Sequence, residues 1–209
     1  MFFPTVDISV GSEVFQALLR IPAHREHPFR FNLNQEQIDL LLAELITGRN
    51  KDTYRVALLA LATGARWSEA ETLRAEYLSV KPALVTFVDT KGKRNRSVPI
   101  SAELAEYFKI KATGRLFKDC YAAFRNSIDR VDIALPQGQL THVLRHTFAS
   151  HFMINGGNII TLQRILGHTS LVVTMKYAHM APNHLQDAIK YNPVHGRHIV
   201  NNSVEGTIS

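Results

Sequence analysis

The chain has 209 residues, 45% of them apolar, 20% charged and 9% aromatic, which suits one compact domain with a modest appendage and excludes a disordered chain. Its 24 Lys and Arg against 18 Asp and Glu give a formal charge of +6 that favours a polyanionic partner. A lone cysteine, Cys120, excludes an internal disulfide and a cysteine-built zinc site, and no apolar run approaches the roughly 20 residues of a membrane span, so a cytoplasmic protein without a membrane partner is expected.

Residues 1–30 combine Pro4, Pro22 and Pro28 with the basic pair His24-Arg25 and read as a linker, or the remnant of an N-terminal domain absent from this chain. Asn34 with Gln37 three residues on is a capping-box pattern, and Ile38, Leu41, Leu42 and Leu45 continue it at helical spacing up to Gly48. A second helix is predicted over Tyr54–Ala62, closed by Thr63-Gly64. Ser68 with Glu71 reads as another capping box, opening a short helix to about Ala75. The β-rich runs Leu78–Val80, Leu84–Val88 and Arg96–Pro99, parted by turns at Lys81-Pro82 and Thr90–Lys93, predict two or three antiparallel strands.

Helical periodicity returns over Ala102–Lys111 and in Tyr121, Phe124, Ile128 and Val131. Three more helices are predicted: Thr141–Asn155 stopped by Gly156-Gly157, Ile159–Leu166 stopped by Gly167, and Ser170 to about His179 ahead of Pro182. Residues 181–209 then hold an amphipathic stretch, with Leu185, Ala188 and Ile189 as its stripe, and a polar tail. The expected fold is α+β, predominantly α: a helical domain over 31–180 with a small antiparallel sheet.

Chemistry concentrates between Asp132 and Asp187, where 54 residues contain no Asp or Glu but hold Arg145, Arg164, Lys176 and six histidines. Such a surface attracts phosphate, and it offers no carboxylates to a hard divalent cation. His142 and His146, four apart, could share a zinc ion, but the Glu of an H-E-x-x-H site is missing, and spaced histidines on a helix are more often core or capping residues. His142 and Arg145 project to one side of a helix, pairing an imidazole that titrates near neutrality with a guanidinium fork for phosphate oxygens.

Arg66 follows the turn at Gly64, with Glu69 three residues later, a spacing that also suits a plain surface ion pair. The turn Lys91-Gly92-Lys93-Arg94-Asn95-Arg96 sets four cations at a hairpin tip, where a lysine can give a proton to a leaving oxygen. Chemistry alone does not separate Lys91 from Lys93 in that role. Tyr177 lies nine residues beyond His168. A phenol with an ordinary pKa of about 10 needs neighbouring cations to become a nucleophile.

Together Thr63-Gly64-Ala65-Arg66-Trp67-Ser68-Glu69, Thr90-Lys91-Gly92-Lys93, His142-Val143-Leu144-Arg145-His146, Leu166-Gly167-His168 and Tyr177-Ala178-His179 resemble, in order and spacing, the catalytic domain of tyrosine recombinases (phage integrases) over about Leu33 to Ile189. The resemblance is closest to integrases of temperate phages of enteric bacteria. It implies Arg66 and Arg145 as the clamp on the scissile phosphate, His168 as a donor to that phosphate and His142 as manager of the tyrosine proton. It further implies Glu69 and His146 in support, Lys91 as the proton donor to the departing 5′ oxygen with Lys93 as fallback, and Tyr177 as nucleophile of a 3′-phosphotyrosyl bond, with no metal and no cofactor.

Lys93, Arg94, Arg96, Arg164 and Lys176 are the expected DNA contacts. The implied function is phage DNA integration and excision on double-stranded attachment sites. The implied partners are a homo-oligomer, tetrameric on DNA and dimeric in isolation with residues 181–209 docked on a neighbour, plus a host DNA-bending protein and a directionality factor. Competing readings are chromosome-dimer resolution, inversion or transposon movement, a type IB topoisomerase, and a non-catalytic DNA-binding protein.

Overall fold

The computed structural model describes residues 32–88, 95–110, 112–131, 133–135, 138–140, 142–182 and 187–195. The linker expected over residues 1–30 lies outside the described residues, as do Lys91, Lys93 and Arg94 in the hairpin tip and Leu185 in the C-terminal stripe.

Helix α1, Gln35–Thr47, starts at the expected capping box: Asn34 Oδ1 accepts the Gln37 N–H at 2.8 Å while Gln37 Oε1 accepts the Asn34 N–H at 3.0 Å. Helix α2, Lys51–Thr63, begins earlier than its apolar periodicity because the Asn50 side chain caps Asp52. It ends on Gly64 at φ +67°, where a Cβ would stand 2.5 Å from Phe148 Cδ1 and 2.9 Å from Leu166 Cδ2. Only glycine allows this left-handed turn and the close approach of two later segments against it.

Helix α3, Trp67–Glu71, departs from expectation. Its cap is Arg66, whose backbone N–H is accepted by Glu69, so the box sits two residues before Ser68 and Glu71. Glu71 instead accepts Trp67 Nε1 and the backbone N–H groups of Cys120 and Tyr121, tying the turn to a later helix. The chain from Ala75 to Tyr77 is a 3-10 turn rather than a continuation of α3.

Strands β1 (Leu78–Ser79), β2 (Leu84–Phe87) and β3 (Arg96–Pro99) form the expected antiparallel sheet in the order β1-β2-β3. The register pairs Val85 with Val98 and Phe87 with Arg96, which turns Val85, Phe87 and Val98 inward. Helix α4, Ala102–Phe108, and helix α5, Tyr121–Arg130, follow. The main core gathers Val56, Leu59 and Ala60 of α2 with Trp67, Val85, Phe87, Phe108, Phe117, Phe124 and Leu144, Trp67 stacking on Phe124 at 4.2 Å.

Helices α6, Val143–Ile154, and α7, Ile159–Leu166, carry a second core of Ala149, Met153, Leu162 and Leu166. The single helix expected from Ser170 to His179 is instead broken into α8, Val172–Met175, and a 3-10 turn, Ala178–Met180. The break drives the Tyr177 ring into the second core. Helix α9, Asp187–Tyr191, has no buried residue, Ile189 being 61% exposed. No described helix is long and apolar enough to cross a membrane.

Candidate active site

Arg145 organises the site. Though only 5% exposed, it donates from Nη1 to the Gly64 carbonyl at 2.9 Å and from Nη2 to the Leu166 carbonyl at 2.6 Å. Those carbonyls end α2 and α7, the negative poles of two helices, so one cation draws both termini together. Burial and the charges of Arg66 and Arg96 push its pKa down to about 10, which leaves it cationic at neutral pH. Among the described residues no acceptor meets its Nε–H or its second Nη1–H, which leaves two donors for an anion.

Arg66 emerges from the Gly64 turn with its side chain 40% exposed and Nη1 on Glu69 Oε1 at 2.9 Å. Glu69 is then saturated: Oε1 also accepts Arg96 Nη1 at 3.1 Å, and Oε2 accepts the Arg66 backbone N–H at 2.8 Å and Arg96 Nη2 at 2.6 Å. Although burial opposes the charge, the two arginines and the backbone donor hold the carboxyl down at about 2. Arg96, expected as a DNA contact at the surface, lies with its side chain only 10% exposed, its fork closed on Glu69 and its guanidinium over the Phe87 ring at 4.6 Å. The register explains this placement, because Arg96 opposes inward-facing Phe87.

His168 is reached by Arg145 Nη2 at 2.9 Å from its Nε2. Because a guanidinium only donates, Nε2 accepts, and Nδ1 carries the proton that goes to Thr174 Oγ1 at 2.9 Å. The expected phosphate donor is therefore neutral and turned to acceptance in this state. Burial, with Arg145 and Lys176 adding to it, lowers its pKa to about 4. Thr174, fully buried, was not among the expected site residues and carries no motif of its own; the broken helix is what brings it under His168.

The Tyr177 hydroxyl meets His146 Nδ1 at 2.6 Å. The imidazole against the phenol is thus that of His146, whereas the resemblance gave the tyrosine proton to His142. His142 caps α6, exposed, with its ring centroid 6.1 Å from that of His146. Burial moves the two partners apart: the phenol rises to about 12 despite Arg145, and His146 falls to about 4, helped by Lys176, His142 and Arg145. Burial, followed by the charges of Arg145, Arg66 and Lys176, also lowers His142. Lys176 Nζ lies 5.1 Å from the Tyr177 ring centre, and Arg164 is exposed on α7. No group of three metal-binding side chains gathers among the described residues, so the His142–His146 spacing has no third ligand there.

These shifts fix a pH dependence. His146 and His168, near 4 when folded against about 6.5 unfolded, give stability that is complete above pH 6.5 and lost as pH falls toward 4. Glu69 gives stability that is complete above about 4.5 and lost only toward 2. Urea titrations are expected to show a loss of roughly 2–4 kcal/mol between pH 7 and 4.5, after discounting for the partial exposure of both rings. His146→Asn should roughly halve it; a flat profile above pH 4.5 contradicts neutral, desolvated imidazoles.

Residues 32–184 match the model of the phage integrase family. The integrase of Escherichia phage 186 is 53% identical over 179 residues, covering 83% of this chain and 53% of that protein. The solved catalytic domain of bacteriophage HP1 integrase superposes with a TM-score of 0.76 at 52% identity, covering 81% of this chain and 99% of that one. The XerH site-specific recombinase, solved bound to its difH substrate, shares the fold with a TM-score of 0.60 at 20% identity, over 71% of this chain and 50% of that one. The chain spans about half the length of the phage 186 and HP1 integrases.

Proposed function

The chain belongs to the phage integrase family of tyrosine recombinases, and from that premise we propose that it breaks and rejoins DNA strands through a 3′-phosphotyrosyl bond made by Tyr177. The observation that carries the reading is one convergence: a buried phenol held by an imidazole, beside a buried arginine with uncommitted donors and an exposed arginine on the next turn.

In the proposed step the Tyr177 oxygen bonds to phosphorus, its proton passes to His146 Nδ1, and the bond from phosphorus to the 5′ oxygen breaks. That oxygen leaves as a hydroxyl with a proton from Lys91, or from Lys93 in its place. Arg66 and Arg145 meet the charge that builds on the non-bridging oxygens. An attacking 5′ hydroxyl reverses the step, so no nucleotide triphosphate is required. At rest the proton transfer is uphill, because burial raises the phenol and lowers the imidazole. A bound phosphate raises the basicity of His146 and competes with His168 for the Arg145 donors, while Arg66 and Arg145 offset the charge that the phenolate brings.

The substrate is double-stranded DNA carrying a phage attachment site. Integration and excision require a homo-oligomer, tetrameric on DNA, with a host DNA-bending protein and a directionality factor; exposed Ile189 on α9 supports docking of residues 181–209 on a neighbouring protomer. Arg164, Lys176, Lys93 and Arg94 are assigned to the DNA backbone. The chain is to be mixed with 5′-labelled nicked duplexes randomised around the nick, in EDTA, and resolved on a denaturing gel. A labelled protein adduct is expected, falling steeply as salt rises from 50 to 200 mM. DNA that stays bound without ever becoming covalent favours the accessory DNA-binding reading instead.

A further inference from the structure

We propose that Arg96 is a positioning residue of the phosphate clamp: by closing its fork on both oxygens of Glu69 it cancels that carboxylate, so that Arg66 meets the DNA phosphate as an effective cation. The inference rests on the reading of the clamp given above and deepens it.

Glu69 holds Arg66 in place, since one Arg66 side-chain donor and the Arg66 backbone N–H both end on it. Unaided, that arrangement works against the site, because an anion in contact with Arg66 repels the phosphate that Arg66 is there to hold. Arg96 removes the conflict. It fills the two remaining lone-pair positions on Glu69 at 3.1 and 2.6 Å, so the carboxylate keeps its hold on Arg66 without projecting charge toward the ligand. Its own surroundings are built for this task. Nε donates to the Ile165 carbonyl at 2.8 Å, the plane rests on Phe87, and Gly167 leaves its Cδ so little space that an added Cβ would approach within 3.0 Å.

One guanidinium thus joins the hairpin strand β3, the turn bearing Arg66 and the end of α7 just before His168. A surface phosphate contact would need its fork facing solvent. The side chain faces the opposite way.

The test is a double-mutant cycle of Arg96→Gln and Glu69→Gln on the full 209-residue chain, read by single-turnover adduct formation on the randomised nicked pool. Arg96→Gln is expected to slow cleavage by at least about fiftyfold, and Arg96→Gln with Glu69→Gln to run at least about fivefold faster than Arg96→Gln alone, because the uncompensated anion is gone. The salt dependence of DNA binding should keep its wild-type slope in the double variant, where Arg66 no longer faces an uncompensated anion. Arg96→Lys, which keeps the charge but not the fork, should lose no more than about tenfold.

Wild-type cleavage by Arg96→Gln overturns the proposal, and so does a double variant no faster than the single. A salt slope reduced by about one phosphate contact in the double variant overturns it in favour of direct DNA binding. If Arg96→Gln does not fold, a hundredfold loss in Arg96→Lys overturns it independently. Failure of the wild-type chain to form any adduct strikes the recombinase reading rather than this one.

Discussion

Tyr177→Phe is expected to remove the covalent adduct, by at least about a thousandfold, while Tyr191→Phe leaves it at the wild-type level. The phenylalanine ring fills the same space in the second core, among Met153, Leu162 and Leu166, and the change removes only one hydrogen bond, to His146. That bond contributes on the order of 1 kcal/mol, so the variant stays folded and a lost adduct reports chemistry. Tyr191, 70% exposed on α9, controls for a phenol that merely lies near DNA. An adduct that persists in Tyr177→Phe, or that disappears in Tyr191→Phe, moves the nucleophile elsewhere.

Arg145→Met is the second large effect, and its two readouts should diverge. Burial and the charges of Arg66 and Arg96 have lowered the guanidinium from 12.5 to about 10, so holding the charge at this place costs about 3 kcal/mol. Its bonds to the Gly64 and Leu166 carbonyls return a similar amount, at roughly 1.5–3 kcal/mol for each hydrogen bond to a charged group. A methionine of comparable length avoids the first and forfeits the second, so unfolding free energy should change by less than about 2 kcal/mol. Cleavage, which needs those donors against the charge growing on phosphorus, should fall by at least about a thousandfold. Calorimetry beside single-turnover adduct formation reads both. A stable variant that retains a tenth of wild-type cleavage removes Arg145 from the clamp; one that cleaves normally per folded molecule but unfolds readily makes it a structural strut.

Much of the domain was legible locally. The Asn34–Gln37 box, the Gly64 and Gly167 stops and the span Ile159–Leu166 all appeared where residue type and spacing put them. So did the pairing of three short strands. Misreadings arose where a local signal met a competing demand. Ser68 with Glu71 has the form of a cap, but Glu71 is taken by Cys120 and Tyr121 from some 50 residues away. The helix read through Tyr177 ends at Met175, and Tyr177 is buried at the start of the 3-10 turn that follows.

The ordered motifs and the carboxylate-free window single out two arginines, three histidines and a tyrosine as candidates without any coordinates. Which of them touch is a matter of packing. Arg145 reaches a carbonyl 81 residues away, Arg96 a carboxylate 27 residues away, and Tyr177 finds His146 rather than His142 across 31 residues. The reason is range. Caps, turns and periodicity act within one or two turns of chain, whereas contacts between side chains remote in sequence follow from how helix ends and strand faces pack.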